Sequence, residues 1–378
     1  MKKTKIISLI MACTLAAALL AGCGKGGSDK LKIGLVAPLT GDNGVMGESQ
    51  RRGYEMAMEE INASGGVGGK TLELVTYDDQ GDPQKAASGA QKFADDKSVL
   101  AIGGSCNSSS TLAMIPIIDG GKLPDLVVSS SSAALTGSSE YFFRMSVQDA
   151  AVGPLMADAL TKMGKKSIVV LYPNNDYGKG LNESIVAQML ANGGDVLDSL
   201  TYLATDQDFT AQLTTVKNLD PDAIALAGTP TDSGLLIKQI RQLGIDVPLI
   251  GGTGLYNAKT IEICGDAAED IIVIGVYVAS NPDPKVQELV GKYVAKYKQE
   301  PDGFAALAYD QMYVIAQAAE KAMAANGGNI TRETLAAALK TTAYDGVTGS
   351  VTFNEVNDWV RPYLTLTVKN GAFVMFEG

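Results

Sequence analysis

"KLKIGLVAPLTGDNGVMGESQRRGYEMAMEEINASGGVGGKTLELVTYDD" (30–79) is answered, element for element, by "KKSIVVLYPNNDYGKGLNESIVAQMLANGGDVLDSLTYLATD" (165–206). Each stretch opens with an apolar β-branched run, turns through a Gly-containing loop and continues with a helical apolar period. Each then stops at Gly-Gly and resumes as a strand carrying Thr-Tyr (Thr76-Tyr77 and Thr201-Tyr202). The copies stay in step. "QKAASGAQKFADDKSVLAIGG" (84–104) and "GKLPDLVVSS" (121–130) correspond to "FTAQLTTVKNLDPDAIALAG" (209–228) and "GIDVPLIGG" (244–252). Strands alternating with helices of this length predict parallel βαβ units, and two such runs predict two α/β lobes. Runs such as Ile168-Val169-Val170-Leu171 are apolar without alternation, as a sheet covered by helices on both faces requires. Ligands of such sheets bind beyond the carboxyl ends of the strands. That selects the loops at 38–47, 103–111, 128–136, 172–178, 228–234 and 251–256.

With 378 residues the chain exceeds one ordinary core, and 46% hydrophobic with 19% charged residues is a globular composition. "MKKTKIISLIMACTLAAALLAGC" (1–23) places three lysines before an apolar stretch from Ile6 to Leu20 that is too short for a membrane span. Its end, Leu20-Ala21-Gly22-Cys23, resembles a bacterial lipobox, which implies a signal peptide over 1–22, lipid on Cys23 and a lipidated tether over 23–30. Net charge is −11, and removal of the lysine-bearing leader makes it more negative. Such a chain is repelled by nucleic acid and by anionic lipid headgroups, so acyl chains rather than a basic patch must hold it at the membrane. Cys106 and Cys264 remain, too few for a disulfide framework; the two could pair with each other, but two separate thiols are the expectation.

Several chemistries are excluded outright. Without histidine there is no imidazole base, His-based triad or imidazole metal site. Two unlipidated cysteines cannot build a structural zinc site alone. Gly69-Lys70-Thr71 ends like a phosphate loop, but Ser64 stands where that motif needs glycine. "TYDDQGD" gathers Asp78, Asp79 and Asp82 without the spacing of a calcium loop. No metal and no cofactor are expected. Toward the end, a helix is predicted over 304–325, a helix start with an imperfect capping box at Thr331, and a hairpin at Asn370-Gly371.

The chemistry that is present lies in "AIGGSCNSSSTLAMIPII" (101–118). A strand end, a glycine turn and a hydroxyl-rich helix start make an anion cradle, because the first helical N–H groups lack internal partners and the dipole favours negative charge there. Serine hydroxyls add short donors. No lysine or arginine occurs between Lys97 and Lys122, which suits a small monoanion better than a polyphosphate. "LVVSSSSAALTGS" (126–138) repeats the device after the next strand. Helix capping alone would also account for these serines.

Over nearly its whole length the processed chain resembles the solute-binding lipoproteins of branched-chain amino-acid ABC transporters, the Leu/Ile/Val-binding protein family. The resemblance rests on "KIGLVAPLTG" (32–41), "SSSTLA" (108–113), "NDYGKG" (175–180), "NPDPKVQELV" (281–290), "FAALAYD" (304–310) and "DGVTGSVTF" (345–353). It implies the type I periplasmic-binding-protein fold: two Rossmann-like lobes, parallel sheets flanked by helices, joined by a three-strand hinge. Lobe 1 would comprise 31–148 and 280–346, lobe 2 149–279 and 347–378, with the ligand between them. The family's carboxylate-binding serine matches Ser108, flanked by Asn107 and Ser109. The next loop's contacts fall on Ser130 and Ser132, the acid opening lobe 2 on Asp149, and the covering tyrosine on Tyr177. Two departures stand out: Thr253 replaces the family's acid, and Thr229 replaces an aromatic. The resemblance implies a non-enzymatic, extracytoplasmic monomer, lipid-anchored to the cell membrane, that captures a small carboxylate-bearing solute and hands it to ABC permease subunits. The first expectation for that solute is a branched-chain type of amino acid. A non-amino-acid ligand (an aromatic or keto acid, or an amide), a sensor subunit and an extracytoplasmic enzyme are the competing readings.

Overall fold

The computed structural model describes residues 30–377; the leader, Cys23 and the tether as far as residue 29 lie outside the described residues. The first sheet contains β1 (Lys30–Ala37), β2 (Thr71–Asp78), β3 (Val99–Gly104), β4 (Asp125–Val127) and β5 (Phe142–Arg144), in the order β2-β1-β3-β4-β5. The second contains β6 (Ser167–Pro173), β7 (Asp195–Tyr202), β8 (Ala223–Leu226), β9 (Leu249–Gly251) and β10 (Ile272–Gly275), in the order β7-β6-β8-β9-β10. The two orders are the same pattern, so the repeat read in the sequence is a repeat of topology. A small ribbon, β11 (Tyr344–Gly346) with β12 (Gly349–Val351), stands apart. Antiparallel β13 (Leu364–Lys369) and β14 (Ala372–Met375) extend the second sheet beyond β10. Their two-residue link, Asn370-Gly371, has positive φ at both positions, as the Asn-Gly hairpin signal requires.

The helices are α1 (Gly44–Ala63), α2 (Pro83–Asp95), α3 (Ser108–Gly121), α4 (Asp149–Lys162), α5 (Asp176–Ala191) and α6 (Thr210–Leu219). They continue with α7 (Pro230–Gln242), α8 (Ala258–Cys264), α9 (Pro284–Tyr297), α10 (Gly303–Ala325) and α11 (Arg332–Leu339). Local signals start several of them. Asp82 accepts from the Gln84 and Lys85 amides with Pro83 in the first turn, which gives "TYDDQGD" a helix-starting role. Asp283 and Pro284 repeat the arrangement for α9. Thr331 caps α11 through a box completed by Thr334.

After β10 the chain returns to the first half. There α10 packs along α1, so closely that a Cβ at Gly53 would stand 2.3 Å from the Ala305 carbonyl oxygen. From α11, the Arg332 guanidinium donates to the carbonyls of Phe93, Ala94, Asp96, Val99 and Gly121, which binds the ends of α2 and α3 together. The chain passes between the halves three times: after β5, after β10 and between β12 and β13. Arg144 and Asp358, both fully buried, join the first and last passages, Nε to Oδ1 at 2.8 Å and Nη2 to Oδ2 at 2.6 Å. Main-chain bonds from Arg144 N to Asn357 O and from Trp359 N to Arg144 O, both 2.9 Å, run beside that pair. Cys106 and Cys264 are both buried and unpaired, as expected. Among the described residues no helix is long and apolar enough to cross a membrane.

Candidate functional site

The carboxyl ends of both sheets face one small cavity. It is lined by the turns after β3 (Cys106, Asn107, Ser108, Ser109), β4 (Ser129), β6 (Asn175, Tyr177), β8 (Thr229) and β9 (Thr253, Gly254), with Met46 of α1 and Phe304 of α10. An adjoining small hollow shares Ser129, Thr253 and Phe304 and is otherwise mainly apolar, with Val128, Val147, Val276 and Leu307 in its walls. The halves touch around the cavity. Ser109 Oγ donates to Asp176 Oδ2 at 2.6 Å and accepts from the Asp176 amide at 3.2 Å. Thr231 Oγ1 donates to Asp42 O at 2.9 Å. Asp302 receives both the Ser49 hydroxyl, at 2.7 Å, and the Asn257 amide group.

Three helices begin at the cavity, and their first turns are finished differently. The N-cap residue of α3, Asn107, makes no capping bond with its side chain, which leaves the first amides of that helix without a side-chain acceptor. The α5 N-cap, Asn175, accepts from the Gly178 amide at 2.8 Å. At α7, Asp232 Oδ1 accepts from Thr229 N at 2.8 Å and from Thr229 Oγ1 at 2.5 Å, while its Oδ2 accepts from the Tyr202 hydroxyl at 2.6 Å. The hydroxyl proton of Thr229 is thereby directed at Asp232. Burial raises the Asp232 carboxyl above the ordinary aspartate range, although these bonds pull it down.

Six of the nine residues singled out in the sequence come together in the lining: Asn107, Ser108, Ser109, Tyr177, Thr229 and Thr253. Ser108 Oγ accepts from the Ser131 and Ser132 amides, both at 3.2 Å, so it pins the turn after β4 and keeps its own proton to donate. The Tyr177 hydroxyl lies 3.4 Å from Gly228 O. A Cβ at Gly254 would meet both that tyrosine oxygen, at 3.0 Å, and Gly228 O, at 2.3 Å, so only glycine fits there.

The other three lie outside the lining. Ser130 is fully buried, its hydroxyl 2.7 Å from Thr111 Oγ1 and donating to Ser105 O at 2.9 Å. Ser129, one position earlier, lines the cavity instead, and its oxygen accepts from Gln50 Nε2 at 2.9 Å. Ser132 Oγ accepts from the Ala134 amide at 3.3 Å. Asp149 opens α4 with 1% of its surface exposed and makes no hydrogen bond through Oδ2. Burial pushes its carboxyl up to about 7, against the opposing pull of Ser131 and Arg144.

Met46, Cys106, Ser129, Asn175, Gly254 and Phe304 are the lining residues that had not been singled out. Asn175 and Cys106 lie inside quoted motifs and Ser129 next to a candidate, whereas Met46 and Phe304 are apolar helix residues with no local signal. Burial pushes the Cys106 thiol far up, which removes the thiolate that a nucleophile would need. Among the described residues no group of three His, Cys, Asp or Glu side chains is placed to hold a metal ion.

Two structural halves of one topology, closed over a hydroxyl-lined cavity, define a two-lobed binding protein. The chain belongs to the periplasmic binding protein family, whose pattern matches residues 30–372. It is 32% identical over 354 residues to the leucine-, isoleucine-, valine-, threonine- and alanine-binding protein of Pseudomonas aeruginosa, covering 93% of this chain and 90% of that one. The crystal structure of the leucine-binding protein LivK of Thermotoga maritima superposes with a TM-score of 0.85 at 30% identity, over 92% of this chain and 97% of that one. The branched-chain amino-acid transporter substrate-binding protein LivJ of Streptococcus pneumoniae, solved with isoleucine, gives 0.85 at 30% identity over 91% and 97%. The fold is the type I periplasmic-binding-protein fold expected from the sequence, and the family places the chain outside the cytoplasm.

Proposed function

We propose that this chain captures a small carboxylate-bearing solute between its lobes and delivers it to the permease of an ABC transporter. Branched-chain amino acids are the reference class, because the relatives above are named for them. The observation that carries the reading is the open first turn of α3 facing an enclosed cavity, with Ser108 holding a hydroxyl proton in reserve. In this reading Asn107, Ser108 and the first α3 amides take the carboxylate. Tyr177, Thr229 and Thr253 cover it from the other lobe, and Met46 and Phe304 pack against the apolar body. Lobe 1 is assigned to 31–148 and 280–346 and lobe 2 to 149–279 and 347–378. The protein works as a monomer without catalysing a reaction, held at the membrane by lipid on Cys23.

Magnitudes favour enclosure over a surface site. A micromolar dissociation constant corresponds to about −8 kcal/mol, or roughly 0.9 kcal/mol per atom for a solute of about nine heavy atoms, close to the ceiling for small ligands. Charge-assisted hydrogen bonds worth about 1.5–3 kcal/mol each supply that only where water is shut out. In this reading the bonds that Ser109 and Thr231 make between the halves are contacts of the closed state of a hinge. The test is a thermal-shift screen of amino acids and related acids, followed by small-angle scattering of the best ligand. A melting shift with a more compact scattering profile is expected. Saturating ligand that leaves the profile unchanged would exclude hinge closure as the capture step.

A further inference from the structure

The cavity has an anion's half of a zwitterion site and lacks the cation's half. Among the described residues, every side chain lining it is uncharged. Four of the five aspartates around it are already committed elsewhere. Asp176, on the rim, is held by the Ser109 hydroxyl. Asp232 spends both oxygens on Thr229 and Tyr202. Beneath the turn after β3, Asp79 accepts from Ser105 Oγ at 2.5 Å and from the Gly81 amide at 2.8 Å. Asp302 accepts from Ser49, Asn257 and the Ala305 amide. The fifth, Asp149, keeps Oδ2 without a partner but is buried outside the lining, so it offers the cavity no exposed carboxylate oxygen.

The field has the matching sign. Three N-cap residues, Asn107, Asn175 and Thr229, stand at the cavity wall; the first turns of α5 and α7 carry Asp176 and Asp232, whereas that of α3 carries no acid, so the positive end of α3 faces the cavity without an offsetting charge. Such an end acts as roughly half a positive charge, which attracts a carboxylate and repels an ammonium. An ammonium enclosed here would leave its water for carbonyl and hydroxyl oxygens alone, with no counter-charge in contact, and a desolvated charge without a partner is strongly disfavoured. A keto oxygen or a bare methylene in the same place carries no such penalty, and the hollow beyond Phe304 offers mainly apolar walls to the body of the ligand.

Within the carboxylate-capture reading, on which this rests, we propose that the site selects the ammonium-free acid: a 2-oxo acid or plain carboxylic acid with a branched or aromatic body, in preference to the α-amino acid of the same skeleton. Thr253 is the residue assigned to set this preference, because it lines both hollows, where they meet, with an uncharged hydroxyl.

The test is calorimetric titration of the purified protein with matched pairs: L-leucine against 4-methyl-2-oxopentanoate, L-valine against 3-methyl-2-oxobutanoate, and L-phenylalanine against both phenylpyruvate and 3-phenylpropanoate. The expected result is that in every pair that binds, the ammonium-free acid binds at least ten-fold tighter. An amino acid that binds as tightly as its partner, or tighter, overturns the inference and leaves carboxylate capture standing. Failure of both members of every pair, with binding of the corresponding amides, overturns carboxylate capture and the inference with it. Thr253→Glu, checked by circular dichroism for a native fold, should shift each ratio toward the amino acid by ten-fold or more. A folded Thr253→Glu protein with unchanged ratios overturns the role given to Thr253, whatever the wild-type titrations show.

Discussion

The helices that follow β3 and β8 hold equivalent places in the two copies of the repeat, and their first turns are completed in opposite ways. At α7 the third helical residue is Asp232, which accepts from the Thr229 amide and hydroxyl and closes the turn on itself. At α3 the third residue is Ser110, whose hydroxyl turns to Gly81 O at 3.4 Å, and the N-cap Asn107 leaves the turn open. One copy therefore keeps its amide donors for a ligand and the other has used them. Topological symmetry does not make binding symmetric: in the proposed reading lobe 1 recognises and lobe 2 covers.

A third helix start, α4, sharpens the contrast, because it carries an acid that nothing completes. Asp149 has a buried carboxyl with Oδ2 unbonded and a pKa raised to about 7, facing Arg144 and Tyr177. A carboxyl whose folded pKa lies above its unfolded value binds more protons folded than unfolded between the two. Stability from this group is therefore fullest at about pH 4 and falls by about 1.4 kcal/mol per unit toward pH 7, at most about 4 kcal/mol in all. Chemical denaturation of wild type and Asp149→Asn from pH 4 to 8 should show a smaller decline in the variant. Parallel curves would mean that Asp149 is solvated or paired. Next in size is Asp232→Ala, which strands the Thr229 amide and the Tyr202 hydroxyl. It should cost about 2–3 kcal/mol of unfolding free energy, since buried polar groups lose their partner. A cost below about 0.5 kcal/mol would show that the self-closure of α7 is not what distinguishes it.

How much of this was readable beforehand depends on the range of the signal. The alternating strands and helices of both halves follow from hydrophobic runs and Gly-Gly stops that are local, as do the Asn370-Gly371 hairpin and the Thr331 cap, whereas the order of strands within each sheet does not. The turns after β3, β6, β8 and β9 were legible because strand ends dictate where side chains converge. Met46 and Phe304 were not, since an apolar residue on a helix reads as core until the opposing lobe is in place. Within Ser129 to Ser132 nothing local says which hydroxyl faces the cavity, and the bonds of Ser130 to Thr111 and Ser105 decide it across the sheet. The capture of Thr229 by Asp232 could have been read, because Thr-Pro-Thr-Asp is a helix-start pattern.

Making the first copy resemble the second is the next test. Asn107→Asp places a carboxylate at the open turn of α3 with almost no change of shape. The added charge caps the helix, stabilising the protein by about 0.5–1 kcal/mol, and repels an anionic ligand. Calorimetry should show about ten-fold weaker binding, equivalent to 1.4 kcal/mol. Stronger or unchanged binding would mean that the carboxylate sits elsewhere than on α3.

The smallest effect separates recognition from cover within lobe 1 itself. Ser109 lines the cavity, yet its hydroxyl is bonded both ways to Asp176 of the opposite lobe. If that bond is a latch, it exists only in the closed form, and its loss should affect every ligand equally. An exposed, charge-assisted hydrogen bond of this type is worth about 0.5–1 kcal/mol after screening. Ser109→Ala should therefore raise the dissociation constant roughly two- to five-fold, through faster release, by the same factor for ligands of different head group. Stopped-flow release rates for two chemically distinct ligands decide the matter. A loss that differs between them by more than three-fold would make Ser109 a ligand contact and leave Thr231 as the cross-cleft hydroxyl that closes the lobes.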